Sequence, residues 1–98
     1  RVSVLDLRWL KPLNRARIAE AARRAGRVLV VDEGRRTGGL AEELFTLLDE
    51  EAGPALPKAR VTGADSYIPL AEAANLVLLS EDEIVTEATR LIEEAPRR

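Results

Sequence analysis

Short apolar runs recur along the chain and are separated by segments with helical spacing. Residues 2–7 form an apolar, β-branched run, residues 27–32 contain four consecutive aliphatic residues, and residues 59–63 form a third, shorter run. Such runs are typical of strands buried in a parallel sheet with helices on both faces. We therefore expect three strands.

Helix signals lie between and after these runs. Asn14 is a favourable N-cap residue ahead of apolar residues at helical spacing, and Gly26 is a typical C-terminal glycine. A second helix has four leucines on its apolar side, namely Leu40, Leu44, Leu47 and Leu48. Ser80 and Glu83 have the spacing of a capping box at the start of a third helix. The alternation predicts an α/β fold with a parallel sheet.

The composition excludes several kinds of active site. The 98 residues include no cysteine and no histidine, so disulfides, thiolate metal sites and cysteine–histidine or serine–histidine catalysis cannot be built from them. We expect no catalytic residue and no metal site in this chain. The sequence contains no apolar run of membrane-spanning length and no signal-peptide pattern, so a cytoplasmic location is expected. Arg1 stands directly before a predicted strand, which indicates a piece of a longer protein.

The charges are unevenly distributed. Residues 1–39 contain ten basic and four acidic residues, whereas residues 40–98 contain five basic and thirteen acidic ones. This asymmetry indicates either a partner surface or, more simply, solvated helix faces. The basic residues are not interleaved with stacking aromatic residues, so nucleic-acid binding is not expected.

The segment between the second predicted strand and the second predicted helix is a candidate anion site. It consists of Gly34, Arg35, Arg36, Thr37, Gly38 and Gly39. Backbone amides at such a junction attract anions, and the two arginines would strengthen the attraction. Neither nucleotide-binding fingerprint is present. A free-standing anion- or nucleotide-binding module is therefore the alternative hypothesis, and the simpler interpretation is a tight turn with close packing at the glycines.

Five further side chains near the predicted strand ends and loops have candidate roles. Asp32 and Glu33 are adjacent on a strand and point to opposite faces, so we expect one to cap a neighbouring loop and the other to be solvated. Arg8 leaves the first predicted strand at the same edge, where it would bind an anionic substrate group or pair with a nearby carboxylate. Trp9 and Tyr67 suit either an interface or a cover over the core.

Five segments of the chain follow one another in a specific order. They are DLRWLKPL at 6–13, GRVLVVDEG at 26–34, TGG at 37–39, RVTG at 60–63 and IP at 68–69. The series resembles the C-terminal domain of the transketolase superfamily. It is most similar to the β subunit of thiamine diphosphate-dependent 2-oxoacid dehydrogenases of the pyruvate and branched-chain group. The resemblance spans nearly the whole chain and implies one domain over residues 1–98, with a three-layer α/β/α fold and a mostly parallel sheet.

The resemblance also implies a function and partners. The parent enzyme is an oxidoreductase that decarboxylates a 2-oxoacid and acylates lipoamide. Its thiamine diphosphate and magnesium are held by other domains, so that this domain binds no cofactor and supports assembly. The implied partners are the remaining domains or α subunit, the subunit-binding domain of the acyltransferase and further copies in a homo-oligomer. We expect binding to neither nucleic acid nor membranes. In a related synthase, the arginine that matches Arg8 faces the substrate.

One departure from the family affects the expected sheet. The family domain begins with additional strands, one of which lies between the counterparts of residues 2–7 and 27–32. We therefore expect this chain to lack a central strand. Another segment or chain would supply it, or the two flanking strands would pair directly, because buried strand edges need hydrogen-bond partners.

Overall fold

The chain folds into alternating helices and strands. The computed structural model describes residues 2–66, 71 and 78–94. Within these ranges the elements are, in order, α1 (Arg15–Ala25), β1 (Val28–Arg35), α2 (Leu40–Glu51), β2 (Lys58–Gly63) and α3 (Glu81–Glu94). β1 and β2 pair in parallel, with Val28 opposite Lys58 and Val31 opposite Val61. The prediction of an α/β fold with a parallel sheet is confirmed.

The helices begin and end where the capping residues predict. The Asn14 side chain accepts a hydrogen bond from the amide of Arg17 at 3.1 Å, and Gly26 ends α1 in the left-handed conformation with φ 80°. At the start of α3, the Ser80 hydroxyl accepts a bond from the amide of Glu83 at 3.2 Å. The same hydroxyl donates a hydrogen bond to the Glu83 carboxylate at 3.3 Å. No helix within the described ranges is long and apolar enough to span a membrane.

Helices cover both faces of the sheet. Because side chains alternate along a strand, Val30 lies on one face and the paired residues Val31 and Val61 lie on the other. Val30 packs against α1 and α2 in the main core, which consists of Ile18, Ala22, Val30, Ala41, Leu44, Leu47 and Leu48. Val61 and Leu91 of α3 are buried outside this cluster, and α3 contacts both strands. The layers therefore follow the expected α/β/α order.

The prediction of a strand at residues 2–7 is wrong. These residues are not part of the sheet, and Val2 and Val4 expose 79% and 89% of their surface. A strand is stable only where the backbone of a neighbouring strand forms hydrogen bonds with its amides and carbonyls. Direct pairing with β1 does not occur, and the outer edge of β1 has no strand partner among the described residues.

β1 is longer than predicted, and the loop that follows it is shorter. The apolar run predicts a strand that ends at Asp32, but Glu33, Gly34 and Arg35 are the last residues of β1. The pairing with β2 shifts between Asp32 and Arg35. The hydrophobic pattern stops at Asp32, and apolar periodicity cannot detect a strand that continues with exposed polar residues. The loop itself is residues 36–39.

Candidate functional site

The carboxylate of Asp32 organises the junction between β1 and α2. Its Oδ1 accepts a hydrogen bond from the amide of Gly34 at 2.9 Å, and its Oδ2 accepts one from the amide of Ala41 at 3.1 Å. Ala41 lies in the first turn of α2, where amides lack intrahelical partners and the helix dipole is positive. Asp32 therefore caps the neighbouring loop and helix, and Glu33 is exposed, as predicted.

Two further carboxylates bind the loop. Oε1 of Glu42 accepts a hydrogen bond from the amide of Gly38 at 2.6 Å. Asp65, which follows β2, accepts bonds from the hydroxyl and the amide of Thr37 at 2.5 and 2.8 Å. These bonds lower the pKa of the Asp65 carboxyl below its usual value, and the bond from the Thr37 hydroxyl has the largest effect.

The amides that would attract an anion are bound to carboxylates of the same chain. Each of the four amides just described donates to one of three acidic side chains. An added anion would have to displace these bonds while facing three negative charges nearby. The contacts therefore support the interpretation of the segment as a structural turn over the interpretation as a nucleotide site.

Two glycines make this turn possible. Gly38 has φ 72°, a left-handed conformation that side chains disfavour. At Gly39 there is no room for a side chain, because a Cβ atom there would overlap the carbonyl oxygen of Arg35. One glycine thus permits the change of direction and the other permits the close approach of β1 to the start of α2.

Arg60 ties the loop to β2. One terminal nitrogen of its guanidinium donates to the carbonyl oxygen of Arg36 at 2.9 Å and lies 3.8 Å from Oε2 of Glu42. The guanidinium lies over the ring of Phe45, 5.8 Å from its centre, and the Lys58 ammonium lies 5.5 Å from the same centre. The Arg60 side chain is only 19% exposed, so these contacts are partly shielded from water.

These residues line an open groove beside β2. The groove is formed by the loop residue Arg36, by side chains of α2 and β2, and by Glu87 and Arg90 of α3. Arg90 donates to the Glu87 carboxylate at 2.6 Å, which lowers the pKa of Glu87. The groove therefore brings α3 next to the loop, α2 and β2, which precede it in the chain.

The described candidates Arg8 and Trp9 do not line this groove. Trp9 is 77% exposed. Arg8 has φ 60°, and its backbone amide, rather than its guanidinium, bonds to the carboxylate of Asp6 at 3.2 Å. Tyr67 lies outside the described residues, as do residues 68–69 of the family motif. The proposed roles of these residues stay predictions.

Sequence reasoning placed Arg60 in the RVTG segment but assigned no role in the site to Phe45, Arg60 or Asp65. A signal for Arg60 exists, because polar residues at 58, 60 and 62 alternate with apolar residues at 59 and 61, as on a strand with one polar face. For Asp65 we find no such signal. Its partner Thr37 is 28 positions away, and only the parallel pairing of β1 with β2 brings them together.

The described residues do not fit thiamine diphosphate with its metal ion. Magnesium sites use clustered carboxylate and carbonyl oxygens together with the phosphates. Within the described ranges no group of three or more suitable side chains could hold a metal ion, and the three loop carboxylates accept bonds from backbone amides. We therefore assign no step of thiamine chemistry to the described residues.

Comparisons with known proteins agree with the ordered motifs. The family model for the transketolase C-terminal domain matches residues 1–84. The pyruvate dehydrogenase E1 component subunit beta of Staphylococcus aureus is 32% identical over 94 residues, which cover 94% of this chain and 29% of that protein. The corresponding subunit of Staphylococcus epidermidis is 31% identical over the same shares. The chain thus spans less than a third of these relatives, and no solved structure matches it significantly. The chain belongs to the transketolase C-terminal domain family.

Proposed function

We propose that this chain is the C-terminal domain of a thiamine diphosphate-dependent 2-oxoacid dehydrogenase subunit, with a role in assembly and no turnover alone. The observation that carries the proposal is the similarity to E1 β subunits over 94% of the chain. The parent reaction would be decarboxylation of a 2-oxoacid with acyl transfer to lipoamide. The cofactor would be held by other domains of a cytoplasmic complex.

Exposed apolar residues before α1 support the assembly role. Val2, Val4, Trp9 and Leu10 expose 79%, 89%, 77% and 54% of their surface. Apolar residues concentrated in one short exposed segment are typical of surfaces that a partner covers. The proposed partners are the remaining domains or α subunit, the subunit-binding domain of the acyltransferase and further copies of the protein.

The outer edge of β1 supports the same role. Val31 of β1 is 47% exposed, and no described strand pairs with this edge. We propose that a strand from another part of the enzyme pairs here, between β1 and residues 2–7. Residues 2–7 would then gain the backbone neighbour that they lack.

A domain exchange tests the proposal. The part of the Staphylococcus aureus E1 β subunit that aligns with this chain would be replaced by the chain and co-expressed with the matching α subunit. We expect the hybrid to assemble and to oxidise pyruvate, whereas a subunit truncated at the same point should not assemble. A hybrid that assembles no better than the truncated subunit would refute the proposed role.

A second assay tests the claim that the chain is inactive alone. The isolated chain would be incubated with pyruvate, thiamine diphosphate and magnesium, and release of carbon dioxide would be measured. We expect no release above the protein-free control. Turnover that depends on the chain would contradict the claim.

A further inference from the structure

The groove beside β2 opens onto the backbone edge of that strand. Three consecutive residues, Lys58, Ala59 and Arg60, line the groove. Consecutive side chains of a strand point to opposite faces, so all three can border one groove only at the strand's edge. The other edge of β2 is paired with β1, which leaves this edge as the one facing the groove.

The direction of the backbone groups follows from the pairing. The amide of Val28 donates to the carbonyl oxygen of Pro57 at 3.0 Å. Backbone groups alternate in direction along a paired strand, so those of Lys58, Arg60 and Thr62 point away from β1 and into the groove. None of the backbone hydrogen bonds between described elements uses these three outward amides and carbonyls.

The charge of the groove is positive although the whole chain has a net charge of −2. Four basic side chains line it, namely Arg36, Lys58, Arg60 and Arg90, against the two carboxylates of Glu42 and Glu87. Asp49 forms an ion pair with Lys58, so four positive charges stand against three negative ones and one positive charge is left in excess. Arg60 lies beside Phe45 of α2, whereas Arg90 belongs to α3, so the basic groups stand on both walls. An extended peptide places successive side chains toward opposite walls.

We propose that the groove binds an extended, acidic segment of a partner polypeptide, which adds to the sheet as a strand along β2. The outward groups of β2 would supply main-chain hydrogen bonds, and the basic walls would select glutamate and aspartate side chains. The proposal goes beyond the assembly role, which concerns the opposite edge of the sheet, and it stands independently of it.

The test uses the 98-residue chain with isotope labels and synthetic peptides about as long as β2. One peptide alternates glutamate with valine, a second alternates lysine with valine, and a third alternates glutamate with proline. The third carries the same charge as the first but cannot pair as a central strand. We expect only the first to bind at low salt and to protect the amides of Arg60 and Thr62 from hydrogen exchange.

Charge-reversed variants locate the binding site. Arg36→Glu combined with Arg90→Glu should weaken binding of the glutamate–valine peptide by about tenfold or more. The matched control is Arg24→Glu on α1, whose side chain is 76% exposed, and it should leave the affinity unchanged. Equal binding of the glutamate–proline peptide, protection only at the β1 edge, or no binding of the first peptide would each overturn the proposal.

Discussion

The Asp32→Ala substitution tests the view that one carboxylate holds the β1–α2 junction. The change removes two hydrogen bonds to an ionised acceptor, of 2.9 and 3.1 Å, at a half-buried position. Bonds to charged groups contribute about 1.5–3 kcal/mol each when shielded, and loss of a helix cap costs about 1 kcal/mol. Because Asp32 is only half-buried and water partly replaces the carboxylate, we take about 1 kcal/mol for each bond, below the shielded range, and expect a loss of about 2 kcal/mol in the free energy of unfolding.

Urea unfolding followed by far-ultraviolet circular dichroism would measure this loss. Fluorescence is less suitable because the single tryptophan, Trp9, is already 77% exposed in the folded state. With a denaturant slope of about 1–1.5 kcal/mol per molar urea, a 2 kcal/mol loss lowers the midpoint by about 1.5 M. Asp32→Asn keeps one acceptor oxygen and should lose about half as much.

The matched control is Asp82→Ala, at an exposed position in the first turn of α3. A surface change of this kind should alter stability by less than about 0.5 kcal/mol. The reasoning fails if Asp32→Ala is no more destabilising than this control. It also fails if Asp32→Asn is as destabilising as Asp32→Ala, because the two amide bonds would then not be separable.

Three other predictions follow from the same structure. Gly39→Ala should destabilise the protein more than Gly38→Ala in thermal unfolding. At position 39 the new Cβ atom would overlap the backbone, whereas at position 38 the cost is only the conformational strain of a positive φ, about 1 kcal/mol. Leu47→Ala should cost about 3–4 kcal/mol in urea unfolding, since Leu47 is fully buried in the core; a loss below about 1 kcal/mol would contradict this packing. The lowered pKa of Asp65 means that its bonds to Thr37 add stability above the unfolded-state pKa, near 3.8. That stability should disappear as the pH falls through the folded-state pKa. The difference in the free energy of unfolding between wild type and Asp65→Ala should therefore shrink on acidification. A difference that stays constant with pH would refute the linkage.

Local signals in the sequence determined the positions of the helices and of two strands. Asn14, Gly26 and Ser80 act through neighbours within four residues, so their capping roles can be predicted without knowledge of the fold. The aliphatic run likewise predicts the position of β1, because a strand covered on both faces needs apolar residues at every position. Of this run only Val30 is buried, and Val31 is 47% exposed. The ordered motifs determined the family by resemblance, and the family match agreed.

The tertiary structure decided the features that depend on pairing between distant segments. Residues 2–7 have the composition of a strand, yet a strand also requires a neighbouring backbone, which these residues do not find in the described structure. Likewise, the parallel register of β1 and β2 brings Asp65 to Thr37 and Arg60 to Arg36, although nothing in their local sequence links them. Sequence patterns carry local preferences and burial, whereas contacts across the sheet exist only once the strands have aligned.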